Sequence, residues 1–238
     1  MPGSCGAVRR TPRRPSSVRH PGDTLAIVSR PTRILVLRHG QSEWNASGRW
    51  QGHADPPLDR AGELQAVAAS ELLGTFDSVW ASDLQRATRT AQIIAELLGI
   101  GPVQLDPRLR ETHVGPWEGL TQQEVERGWP GYLAARRRPE GFEPYDQAAA
   151  RLLAALRDIA AEHPGGEALA VSHGGVIRAA RRAVGADDPR LPNVSGSWFV
   201  VHPDGRISAG EVVALAEGRP FELRDAPAAP AAPASDVL

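Results

Sequence analysis

Two short apolar segments of this chain end in the same way, and that limits its fold more than any other feature. Ile34-Leu35-Val36-Leu37 runs into Arg38-His39-Gly40, and Ala168-Leu169-Ala170-Val171 runs into Ser172-His173-Gly174-Gly175. An unbroken apolar run without polar alternation marks a strand buried on both faces. Such strands need helices above and below, and the intervening residues offer them. Asp59 can cap a helix whose Leu64, Val67, Ala68 and Leu72 share one face and which Gly74 ends. Residues 78–81 read as another short strand. Asp83 can cap a second helix with Leu84, Ala87, Ala91, Ile94 and Leu98 as its apolar stripe before Gly99. A long helix is predicted over 145–162, with Leu152, Leu153, Leu156 and Ile159 inward, and a shorter one over 175–184. Residues 198–202 and 207–213, joined by Pro203-Asp204-Gly205, read as a β-hairpin. Strands alternating with helices imply crossovers, so the expected class is α/β with a mostly parallel central sheet. Ligands of open α/β sheets sit beyond the carboxyl ends of the strands, where both histidines fall.

Composition narrows the chemistry. The 238 residues suit one large α/β domain or two small ones. All 27 basic residues are arginine, so no lysine is available for a Schiff base or a P-loop. Cys5 is the one cysteine, which rules out an internal disulfide framework and a multi-cysteine metal cluster. No apolar run approaches the roughly 20 residues that span a bilayer. The first 33 residues hold seven arginines and a single acid, Asp23, without periodicity. Residues 1–32 are therefore expected to be a disordered arm, 33–224 the folded domain, and 225–238 a low-complexity Ala/Pro tail. The arm lacks the interleaved aromatics of an RNA binder and the apolar stretch of a secretion signal. No nucleic-acid or membrane partner is expected, and the expected location is cytoplasmic. Setting aside the seven arginines and the acid of the arm, with two acids of the tail, leaves 20 arginines and 25 acids over 34–224, a net −5. An anionic ligand must be held there by local arginines, against the overall field.

Four pieces carry candidate chemistry. In Arg38-His39-Gly40 the glycine leaves room for close approach to the ring, and the arginine favours an anion. The residues that follow, among them Ser42, Asn45 and Gln51, are polar or small and suit a loop. Arg86 opens a helix, where a cation opposes the dipole unless it helps the helix hold an anion; the alternative is a solvated surface arginine. Glu111 lies in a Gly/Trp-rich, non-periodic stretch suited to a partly desolvated acid, or to a turn salt bridge. His173 is either a site residue or a satisfied core histidine. Trp44, Trp50, Trp117 and Trp129 are expected to pack rather than stack on a ligand. Arg136-Arg137-Arg138 could sit on a lid helix and meet a second anion, or form a solvated face. His53, His113, His163 and His202 lack metal-ligand spacing, and no metal site is expected.

Taken together the chain resembles the histidine phosphatase superfamily, the group that includes the cofactor-dependent phosphoglycerate mutases. The resemblance rests on Arg38-His39-Gly40, Ser42, Asn45, Gly48-Arg49, Gln51-Gly52, Ser82-Asp83-Leu84, Arg86-Ala87, Glu111, Trp117, Glu118-Gly119 and Ser172-His173-Gly174. The Leu109-to-Gly119 stretch looks most like the actinobacterial phosphatases of the superfamily, those acting on glucosyl-3-phosphoglycerate among them. The resemblance implies a three-layer α/β/α sandwich, phosphoglycerate mutase-like, with no metal and no cofactor. It implies that His39 is phosphorylated and that Glu111 protonates the leaving oxygen, then activates water. It further implies that Arg38, Arg86 and His173 bind phosphoryl oxygens, with Asn45, Gln51 and Gly174 lining the same pocket. Many relatives carry Gly-Glu-Ser before the long helix, where this chain reads Gly141-Phe142-Glu143-Pro144. The segment before that helix is also short for a mutase lid, which favours hydrolysis of a small phosphorylated metabolite, a sugar phosphate or phosphoglycerate derivative. A mutase and a non-catalytic phosphate-binding protein stand as alternatives. A homodimer through the edge hairpin is left open.

Overall fold

A computed structural model describes residues 30–215. The expected arm, apart from residues 30–32, and the expected tail lie outside the described residues. Strand β1 (Thr32–Arg38) alternates its side chains between two cores. Ile34 and Val36 face one cluster with Leu152, Leu156, Ile159 and Val176, whereas Leu35 and Leu37 face another with Ala87, Ala91 and Ile94. A strand with two dry faces must lie inside a sandwich, and the six-stranded sheet runs β3-β2-β4-β1-β5-β6. Here β2 is Ser78–Ala81, β3 Val103–Leu105, β4 Glu167–Ser172, β5 Ser195–Val201 and β6 Ile207–Ala214. The β3-β2-β4-β1 part is parallel, and the β5–β6 hairpin adds antiparallel strands beside β1. Helices α2 (Arg60–Ser70) and α3 (Gln85–Leu98) contribute to one face, and α5 (Tyr145–Glu162) and α6 (Gly174–Ala183) to the other.

The register places the site. Strands β1 and β4 are neighbours, with Leu37 opposite Val171 and Arg38 opposite Ser172. His39 N–H then donates to the Ser172 carbonyl at 3.1 Å, so both histidines leave the sheet side by side at its carboxyl edge.

Several local expectations need correction. Asp59 does cap α2, accepting from the Gly62 N–H at 2.8 Å. The buried face of that helix, however, is Gly62, Ala66, Ala69 and Ser70, and Val67 and Leu72 are 39% and 57% exposed. Asp83 does not cap α3: its carboxylate pairs with Arg110, and the Gln85 N–H donates instead to Asp55 at 2.7 Å. The segment after Gly40, a loop by its sequence, contains the one-turn helix α1 (Glu43–Ala46), with Ser42 and Asn45 forming a capping box. The three-residue edge strand β3 and helix α4 (Gln122–Gly128) are additional elements. Arg136-Arg137-Arg138 lie on no helix: Pro130 and Pro139 bracket the segment, and Arg136 adopts φ +54°. No described helix is long and apolar enough to cross a membrane.

Candidate active site

Five side chains from four separate segments meet at the carboxyl edge of β1 and β4. His39 is buried, with Nδ1 2.6 Å from the Gly40 carbonyl oxygen. That contact makes Nδ1 the protonated nitrogen and leaves the lone pair on Nε2. The His173 ring lies 5.0 Å away, edge to face, and neither of its nitrogens has a protein partner although the residue is fully buried.

Arg86 is fully buried at the start of α3, so it is no solvated surface arginine. It donates to the Ala54 and Gly52 carbonyls at 2.7 and 2.9 Å, and its Nε–H is unpartnered. Arg38 donates to the Leu191 carbonyl at 2.6 Å. The Glu111 carboxylate accepts from the backbone N–H groups of Thr112, Gly175 and Val176 at 2.8, 3.0 and 2.9 Å. It therefore sits at the N-terminus of α6, where the helix dipole favours an anion.

Burial sets the charge states. Desolvation, with Arg86 and Arg38 nearby, holds His39 well below the usual histidine range, although the Gly40 carbonyl opposes this. His173 is lowered by desolvation and then by Arg86. Desolvation brings Arg38 and Arg86 each down to about 10, against the pull of Glu111, so both stay cationic at neutral pH. Two cations, a neutral nucleophilic nitrogen and buried polar atoms without partners make a site for an anion.

The glycines here serve close packing. A Cβ on Gly40 would lie 2.5 Å from the Gly62 carbonyl oxygen, so its space belongs to α2 and not to a group approaching the ring. A Cβ on Gly175 would lie 2.7 Å from a Glu111 carboxylate oxygen, and one on Gly174 would lie 3.3 Å from Arg38 Cδ. Gly174 thus gives clearance to Arg38. Asn45 Oδ1 accepts from Ser42 and, at 3.3 Å, from Asn193. The Gln51 side-chain oxygen is taken by the Ser42 hydroxyl at 2.8 Å.

Sequence reasoning missed two residues. Asn193 donates to the His39 carbonyl at 3.0 Å and links it to Asn45. It follows a proline just before β5, a weak signal for a loop that grips. Arg151 lies in the long helix, where the apolar stripe masks it; its contacts are with the backbone around Glu111. The stretch that departs from Gly-Glu-Ser still supplies a carboxylate, since Glu143 pairs with Arg151 and accepts from the His113 N–H. Three of the four candidate tryptophans pack: Trp50 and Trp117 are buried 5.2 Å apart, and Trp129 lies against Trp117, whereas Trp44 is half-buried. Among the described residues, no group of three or more His, Cys, Asp or Glu side chains is placed to hold a metal.

Comparison with known proteins gives the family. The family model described as histidine phosphatase superfamily (branch 1) matches residues 34–206. A metal-independent phosphoserine phosphatase of Arabidopsis thaliana is 38% identical over 167 residues, 66% of this chain and 70% of that protein. A glucosyl-3-phosphoglycerate phosphatase of Mycobacterium tuberculosis is 38% identical over 170 residues, 65% of this chain and 76% of that protein. The solved structure of a mycobacterial glucosyl-3-phosphoglycerate phosphatase with VO3 superposes with a TM-score of 0.68 at 32% identity. It covers 75% of this chain and 96% of that one.

Proposed function

Because the chain belongs to the histidine phosphatase superfamily, we propose that it hydrolyses a small phosphomonoester in two steps through phosphorylated His39. The observation that carries this reading is the buried His39–His173 pair beside Arg86, with unpartnered nitrogens on His173 and Arg86. In the first step His39 Nε2 attacks phosphorus, the bond to the ester oxygen breaks, and Glu111 gives that oxygen a proton. In the second step the Glu111 carboxylate takes a proton from water. The water oxygen attacks phosphorus, the P–N bond breaks, and His39 returns neutral. Phosphoryl transfer asks mainly for positioning and for cations around the equatorial oxygens. Arg38 and Arg86 supply two. The incoming anion favours a proton on His173, which supplies the third.

The substrate class is a phosphate ester of a small carboxylic acid. Phosphoserine and glucosyl-3-phosphoglycerate, named for the two relatives, are both of this kind. Arg190 supports the reading. It is exposed, and no ion pair or hydrogen bond engages it among the described residues. It adjoins Leu191, whose carbonyl holds Arg38, and its charge reaches Arg38. A carboxylate close to the bound phosphate would meet it.

The test is phosphate release from p-nitrophenyl phosphate, phosphoserine and 3-phosphoglycerate in excess EDTA, with His39→Ala beside the wild type. Activity that survives EDTA, prefers the carboxylates and vanishes in the variant is expected. Retained activity in His39→Ala would overturn the nucleophile. Isomerisation of phosphoglycerate without phosphate release would point to a mutase.

A further inference from the structure

The carboxylate of Glu111 is held from the front by α6, and the backbone behind it is held by Arg151, with His53 Nε2 also 2.7 Å from the Glu111 carbonyl oxygen. Arg151 projects from α5, and all five N–H bonds of its guanidinium have partners. Nη1 donates to the carbonyls of Arg108 and Arg110 at 2.8 and 2.6 Å, and Nη2 to the carbonyl of Glu111 at 2.7 Å. Nε and Nη2 also donate to the two carboxylate oxygens of Glu143 at 2.8 and 2.9 Å, a bidentate pair. Glu143 closes the frame, since its carboxylate accepts from the His113 N–H at 3.0 Å and its own N–H donates to the His113 carbonyl at 2.8 Å. The residues on both sides of Glu111 are thereby tied to a rigid helix. Arg151 reaches this loop through backbone carbonyls.

We propose that Arg151, which spans the carbonyls of Arg108, Arg110 and Glu111, is a positioning residue for Glu111 and so controls both proton transfers without touching the phosphoryl group. The inference rests on the two-step phosphohistidine reading. Five donors in a planar fork fit this frame, and a lysine with three donors on a point charge does not. The consequence is selective. Formation of phosphohistidine from p-nitrophenyl phosphate needs little help from Glu111, because nitrophenolate departs without a proton. Release of an alkoxide from phosphoserine needs the proton, and hydrolysis of phosphohistidine needs the base.

The experiment is rapid-mix kinetics on the full chain, comparing wild type with Arg151→Gln, Arg151→Lys, Glu143→Gln and Glu111→Gln. Arg151→Gln is expected to keep the first-turnover burst of nitrophenol, while steady-state turnover falls about 10²-fold, the loss typical of a misplaced catalytic group. Phosphohistidine should accumulate, visible by phosphorus NMR after acid-free quenching, and single-turnover cleavage of phosphoserine should slow by a similar factor. Arg151→Lys should not restore turnover. Glu143→Gln, which leaves the carbonyl contacts in place, should fall between and guards against a mere folding defect in the arginine variants. A burst that slows as much as turnover in all the Arg151 and Glu143 variants would overturn the proposal, as would unchanged turnover in Arg151→Gln. If Glu111→Gln gives the burst and Arg151→Gln does not, the proposal alone fails. If Glu111→Gln gives neither burst nor trapped phosphohistidine, the underlying reading fails.

Discussion

His39 and His173 stay neutral in the folded chain because each loses its hydration beside arginines. Unfolding restores an ordinary histidine of pKa about 6.5. Below that pH the unfolded chain binds more protons than the folded one, so stability must rise with pH through this range. The contribution is fully present above about 6.5 and is lost as pH falls toward the folded values, at up to about 1.4 kcal/mol per histidine per pH unit. Thermal unfolding between pH 5 and 7.5 should show this slope in the ligand-free protein, and His173→Gln should flatten it. An equal slope in the variant would mean that the acid sensitivity arises elsewhere. Gly175→Ala couples activity to stability. The new methyl would lie 2.7 Å from Glu111 Oε1, so the buried carboxylate must move off the N–H groups of Thr112, Gly175 and Val176, and turnover should fall about 10²-fold. A lowered urea midpoint beside the lost turnover is the expected pair of results, and unchanged values of both would mean that the loop yields without cost. The histidines themselves were legible in the sequence because a strand end is a local feature. The role of Gly40 was not, because the group that claims its space is the carbonyl of Gly62, on another element.

Helix α5 shows how far local pattern reaches. Its span, Tyr145–Glu162, and its inward Leu152, Leu153, Leu156 and Ile159 are as the periodicity predicts. Its first turn is less well made. Pro144 stands at the N-cap with φ −58° and ψ 135°, and no side chain caps the helix. Pro144→Ser would place a hydroxyl there with Gln147 three residues on, the pattern of a capping box. A cap contributes about 1 kcal/mol, and loss of the proline's rigidity returns about half of that. A net gain of about 0.5 kcal/mol in urea unfolding is expected; a loss would mean that the proline ring packs better than the cap bonds. Helix α2 shows the opposite case. Its large apolar residues point to a face that is not the buried one, because residue size does not decide burial there. The helix approaches the loop after β1 so closely that a Cβ on Gly62 would sit 2.0 Å from the Gln41 carbonyl, so small residues face inward and Val67 and Leu72 stay outside. The short pieces α1 and β3 carry too few residues for any period to register.

Among the described residues, two cores lie against the sheet and a third cluster lies apart from them. Trp50, Val114, Trp117, Val125 and Phe142 form that third group. A small separate cluster opens at lower free energy than the sheet, so amides of α4 should exchange at least about tenfold faster than those in the middle of β1 and β4. Equal protection would make the whole chain one cooperative unit. Alternation of strand and helix made the layered, mostly parallel architecture legible, but the strand order depends on long-range pairing that no local window contains. The nitrogen of His39 is bonded to the carbonyl of Ser172, so the two imidazoles follow from a backbone ladder and not from the loops between them. Loop residues around the site, such as those of the one-turn helix, can then be exchanged while the two rings still emerge as neighbours. Their pairing belongs to the sheet.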